Sequence, residues 1–140
     1  MTTARTTATA QGGRDGKTTL TGSGLDNSGV WFALQLQKEF GGSGKGSNPE
    51  QFFALGYSAC FNSALLFVAS QQKKDASKAT VSADVGIRRS DAGFGLDVVL
   101  EVHIPGMELG EAKALVEAAH QVCPYSKATR GNIPVTLKVV

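Results

Sequence analysis

Residues 48–72 read NPEQFFALGYSACFNSALLFVASQQ, and no charged side chain occurs from Gln51 to Gln72. Asn48 suits a helix cap, Pro49 the first helical position, and Gln51 the place where a capping box holds Glu or Gln. The pattern predicts a long helix. Gly56, Tyr57, Ser58, Asn62, Ser63 and Ser70 leave ALLFVA at 64–69 as the longest wholly apolar run, too short for a membrane span. A helix apolar on nearly every side is expected to be buried in protein. A small domain can hardly surround such a helix alone, so a second copy covering it is expected.

At 140 residues the chain fits one domain over 1–140, a size that buries roughly 68–70% of its unfolded surface without staples. Fourteen Lys and Arg against 12 Asp and Glu give a formal charge of +2, with no block of like charge. Nucleic acid is therefore not an expected partner, and neither is a membrane surface. MTTARTTATAQGGR at 1–14 has no apolar core of the kind a secretory signal needs. Its Arg and Thr content resembles a transit peptide faintly, but small and β-branched residues before a glycine turn read better as a polar edge strand. Two cysteines without an export signal point to a reducing, cytoplasmic compartment, where thiols are more often redox-active than structural.

Around the helix the pattern alternates. GGRDG at 12–16 reads as a turn between two short strands, and VWFALQLQ at 30–37 places Val30, Phe32, Leu34 and Leu36 on one face. EFGGSGKGSNP at 39–49 fails as a phosphate loop, because Gly46 follows Lys45 and position 39 is Glu; a mobile lid or flexible connection is expected. Val81 to Ile87 and Phe94 to Ile104 alternate on either side of RSDAG, which predicts a long antiparallel hairpin with His103 facing outward. Ala112, Leu115, Val116 and Ala119 mark an amphipathic helix over 108–122, with His120 mostly off the core. Cys123 precedes Pro124 at a helix boundary, PYSKATRG reads as a short helix, and Ile133, Val135, Leu137 and Val139 close the chain as a strand. Strands, buried helix, hairpin, helix and strand make an α+β fold.

Cys60 and Cys123 lie 63 positions apart, which excludes local CxxC spacing and leaves no expected metal site. On a helix Cys60 shares its face with Phe53, Gly56, Ala64 and Phe67, an apolar pocket with room beside Gly56. Free cysteine is also a common core residue, and a structural disulfide is a further reading.

NPEQFFALGYSACFNSAL at 48–65, VCPYSKATRGNIPVTL at 122–137 and GGRDG at 12–16 resemble the organic hydroperoxide resistance proteins of the OsmC/Ohr superfamily, in the same order over nearly the whole chain. Agreement is weakest over 27–47. The resemblance implies an OsmC-like fold of antiparallel sheets packed around a long buried central helix, an intertwined homodimer with two active sites at its interface, and thiol peroxidase activity on organic hydroperoxides. It matches Cys60 to the peroxidatic cysteine, Cys123 to the resolving cysteine, and Arg14 and Glu50 to the family's arginine and glutamate. It implies no bound cofactor, and a dithiol reductant: lipoyl groups on a lipoylated protein, or dihydrolipoamide. Similar chemistry under different regulation would place the chain on the osmotically induced OsmC branch. A carrier of fatty-acid-like ligands with inert cysteines is the non-enzymatic alternative.

The chemistry suits these residues. Thiolate attack on a peroxide needs an ionised sulfur in a pocket that opposes ionisation, so a cation is required and the long helix has none. Arg14 offers a planar fork of donors that Glu50 can orient through a bidentate pair. Ionisation alone gains little, because nucleophilicity falls with thiol pKa; stabilising the departing alkoxide, where one donor is worth about 10²–10³, gains more. Phe53, Gly56, Phe61 and Phe67 are the expected pocket lining, which predicts a preference for bulky apolar hydroperoxides over hydrogen peroxide.

Overall fold

The computed structural model describes residues 2–140, which form two compact units, one ending at Pro49 and the other running from Glu50 to Val140. In the first unit β1 (Ala8–Gln11) pairs antiparallel with β2 (Lys17–Leu20) through a short 3-10 turn at Gly13–Asp15. The turn needs glycine at Gly12 and Gly13, whose φ angles of 84° and 61° lie in the left-handed region. Strand β3 (Trp31–Ala33) pairs with β2 and ends earlier than the alternation over 30–37 predicts, because Leu34 turns to bridge Ser47. Gln35 N–H donates to Ser47 O at 3.0 Å and Gly44 N–H to Leu36 O at 2.9 Å, so the glycine-rich stretch folds back on residues 33–37. A β carbon on Gly42 would stand 2.0 Å from Leu36 O. The stretch is a hydrogen-bonded loop in which Gly42 and Gly46 allow close backbone approach, while Gly41 and Gly44 take left-handed φ angles of 91° and 65°.

In the second unit the charge-free stretch is one helix, α1 (Pro49–Gln71), of 23 residues. Strands β4 (Thr80–Ser90) and β5 (Gly93–His103) form the expected hairpin, with Ser90 opposite Gly93 across a two-residue turn. Helices α2 (Leu109–Val122) and α3 (Pro124–Thr129) follow, and β6 (Val135–Val139) pairs with β5 in parallel, giving the order β4-β5-β6. Parallel neighbours require a crossover, and α2 with α3 supply it. The sheet is therefore mixed, with β5 in the middle.

Alternation on β5 buries Val98, Leu100 and Val102 and leaves Glu101 and His103 exposed. Those three meet Tyr57, Phe61 and Leu65 of α1 and Leu115, Val116 and Ala119 of α2 in one core cluster. Each large side chain so buried is worth about 1.5–3 kcal/mol. Helix α1 is long and apolar enough to cross a membrane by composition alone, yet that face makes the core. Its other face is open: Leu55 is 64% and Phe67 56% exposed. Burial on every side, as the sequence predicts, is not achieved within one chain.

Candidate active site

Pro124 disfavours helical geometry at the residue before it. Cys123 accordingly sits at φ −65° and ψ 124°, ending α2 and opening α3. Its N–H donates to Ala119 O and its carbonyl accepts from Lys127 N–H, both at 2.9 Å. The corner aims a fully buried thiol at α1, where the half-buried Cys60 waits. Cys123 Sγ donates to Cys60 Sγ across 3.6 Å. Two thiols 63 positions apart in sequence, both free, are thus neighbours.

Burial pushes the Cys60 thiol above its ordinary value, and the hydrogen bond and charge of Cys123 add to the rise. The Tyr125 backbone N–H opposes it by favouring the thiolate. Within its own unit, then, Cys60 is held towards the neutral thiol. Among the described residues no cluster of three or more His, Cys, Asp or Glu could hold a metal.

The flank of Cys60 is aromatic. Tyr125 packs on Tyr57 at 5.7 Å and on Phe53 at 6.3 Å between ring centroids, and Phe53 meets Tyr57 at 6.1 Å. The room predicted beside Gly56 is taken by Tyr125, whose hydroxyl fills the place of an absent β carbon. Phe61 is fully buried and lies 6.4 Å from the His120 ring, whereas Phe67 is on the exposed side of α1. An open cavity of about 440 Å³ between α1 and β4 is lined by Gln51, Ala54, Leu55 and Ser58 with Val81, Ser82 and Ala83, and by none of Phe53, Gly56, Phe61 and Phe67.

Arg14 belongs to the first unit, in the 3-10 turn, where its Nη1 donates to Gln37 Oε1 at 3.5 Å. The neighbouring Asp15 carboxylate accepts the Leu36 N–H at 2.9 Å and so ties the turn to the same segment. Glu50 opens the second unit in the first turn of α1, 8% exposed, where the helix dipole favours a carboxylate. Gln37, which holds Arg14, is not singled out by sequence reasoning.

Nor is a buried polar chain beside the thiols. Tyr57 Oη lies 2.8 Å from Ser126 Oγ and 3.1 Å from Thr129 Oγ1, and His120 Nδ1 lies 2.8 Å from Ser126 Oγ. Burial lowers the His120 pKa; Glu117 raises it and Arg130 lowers it further. The available signal was Tyr57 itself, since a tyrosine hydroxyl on so apolar a helix needs a partner when buried.

Residues 42–138 match the family described as OsmC-like protein. The chain is 48% identical to the organic hydroperoxide resistance protein of Xanthomonas axonopodis pv. citri over 132 residues, covering 93% of this chain and 89% of that one. A crystal structure of an organic hydroperoxide resistance protein from Legionella pneumophila superposes with a TM-score of 0.89 at 43% identity, over 99% of this chain and 98% of that one. A crystal structure from Vibrio cholerae, of a protein assigned to the same group with captopril bound in one of its active sites, superposes at 0.87 and 45% identity, over 99% and 93%. With its two three-stranded sheets, long apolar helix and end-to-end similarity, the chain belongs to the OsmC-like family, in its organic hydroperoxide resistance group.

Proposed function

We propose that this protein is a thiol-dependent peroxidase that reduces organic hydroperoxides to alcohols in the cytoplasm. The observation that carries the reading is the 3.6 Å approach of the chain's only two cysteines, both free, inside a largely apolar site. The Cys60 thiolate attacks the terminal peroxide oxygen, the O–O bond breaks, and the alkoxide leaves and takes up a proton. Sulfur gives up two electrons and becomes a sulfenic acid. The Cys123 thiol then attacks that sulfur, the S–O bond breaks, and hydroxide departs with the thiol proton as water. An external dithiol, of the lipoyl class, reduces the disulfide and is itself oxidised.

In this reading Arg14 supplies the cation that favours the thiolate, and Glu50 orients that guanidinium. A second copy of the chain covers Leu55, Leu66 and Phe67, all exposed on α1. Light scattering then returns twice 14.6 kDa. Intact-mass analysis after one equivalent of tert-butyl hydroperoxide tests the chemistry: the protein loses two hydrogens as Cys60 and Cys123 join. An unchanged mass would support an apolar-ligand carrier instead.

A further inference from the structure

Four hydrogen bonds run in series beside the thiols. They join His120 Nδ1 to Ser126 Oγ, Ser126 Oγ to Tyr57 Oη, Tyr57 Oη to Thr129 Oγ1, and Thr129 Oγ1 to the Ser126 carbonyl at 3.1 Å. Three hydroxyls bring three hydrogens, and the carbonyl brings none. The fourth hydrogen must sit on His120 Nδ1. Counting hydrogens therefore assigns the tautomer and gives the chain one direction: His120 donates to Ser126, Ser126 to Tyr57, Tyr57 to Thr129, and Thr129 back to Ser126 O.

The placement of these groups is specific. His120 lies three residues before Cys123, Ser126 three after it, and Tyr57 three before Cys60. The chain clips α2 to α3 across the Cys123 corner and ties both to α1 one helical turn from Cys60. Arg130 Nη1 adds a second clip by donating to His120 O at 2.6 Å. Ser126 and Thr129 are fully buried, as is Tyr57, so no water competes for their bonds.

We infer that His120, Ser126, Tyr57 and Thr129 are positioning residues for the resolving step, holding the Cys123 corner where its thiol captures the Cys60 sulfenic acid before a second peroxide does. This rests on the peroxidase reading above. The two sulfurs must close from 3.6 Å to about 2.05 Å to form the bond. The competing reaction takes a second hydroperoxide, which gives its terminal oxygen to the sulfenic sulfur and leaves as alcohol, making sulfinic acid. A corner free to swing loses that contest more often. The direction of the chain adds a chemical requirement: position 120 must present a donor, so asparagine, with an N–H near the place of Nδ1, can serve and leucine cannot.

Parent, His120→Asn, His120→Leu and Tyr57→Phe are each mixed with excess tert-butyl hydroperoxide and quenched, and intact mass divides disulfide, which has lost two hydrogens, from sulfinic acid, which has gained two oxygens. Peroxide consumption in the first turnover should stay within a few-fold of the parent in all. The ratio of sulfinic acid to disulfide should rise roughly tenfold in His120→Leu and Tyr57→Phe, the factor carried by one or two net hydrogen bonds, and stay near the parent in His120→Asn. His120 is half-buried, so its variants keep the core intact. Nitrogen-15 NMR of the neutral parent should find the proton on Nδ1. Equal ratios in all four proteins, or a proton on Nε2, overturn the positioning role while leaving the peroxidase standing. A parent that forms no Cys60–Cys123 bond overturns both.

Discussion

A β carbon on Gly56 would stand 2.8 Å from Tyr125 Oη, so the helix that carries Cys60 and the short helix that Cys123 opens meet where one of them has no side chain. Nothing larger than glycine fits without moving the phenol. Tyr125 is 40% exposed and can swing outward, but only by leaving Phe53 and Tyr57. Gly56→Ala should therefore destabilise the protein by about 1–3 kcal/mol, against the gain of up to about 1 kcal/mol that alanine brings to a helix. Urea unfolding measures it, and adding Tyr125→Ala to that variant should recover part of the loss. A Gly56→Ala protein more stable than the parent would show that the contact is slack.

The two thiols should fail differently. Cys60→Ser should consume no peroxide even in the first turnover. Cys123→Ser should yield one equivalent of alcohol per site and then drift to sulfinic acid, with dithiol-supported turnover decaying. Quenched-flow with mass detection follows both. A full burst from Cys60→Ser and none from Cys123→Ser would exchange the roles.

Arg14→Lys keeps a positive charge and loses the planar fork, which Gln37 Oε1 contacts at 3.5 Å. Peroxidase rate should fall by about 10² or more, the scale of one lost donor at a developing oxyanion, while Cys60 ionisation changes far less. Stopped-flow turnover and thiolate absorbance separate the two effects. A rate within a few-fold of the parent would leave Arg14 a turn residue.

Stability should fall on mild acidification through His120. Burial is the first cause of its lowered pKa, so the unfolded chain takes up the proton more readily than the folded one. That contribution is complete above the ordinary value of 6.5 and is lost as pH falls through the folded value. The urea midpoint should drop between about pH 7.5 and 5.5 in the parent and drop less in His120→Asn. Equal slopes in the two proteins would exclude His120 as the source.

What the sequence determined by itself is what neighbouring residues decide. The charge-free run from Gln51, opened by Asn48 and Pro49, makes α1, alternation from Phe94 to Ile104 makes β5, and Pro124 breaks the helix at Cys123. These follow from period, capping and backbone sterics, all of which act over a few residues. The α+β class follows from their order. Tertiary structure alone decided that β6 joins β5 in parallel, that Phe61 goes to the core while Phe67 stays exposed, that Tyr125 occupies the space at Gly56, and that Tyr57 finds its partners at 126 and 129. Each depends on which surfaces meet across tens of residues of chain, and a periodic pattern is silent on that. The 3.6 Å between Cys60 and Cys123 is the same kind of fact. A helix turn places one thiol, a proline corner places the other, and the packing of α1 against α2 and α3 in a single close-packed core brings them together.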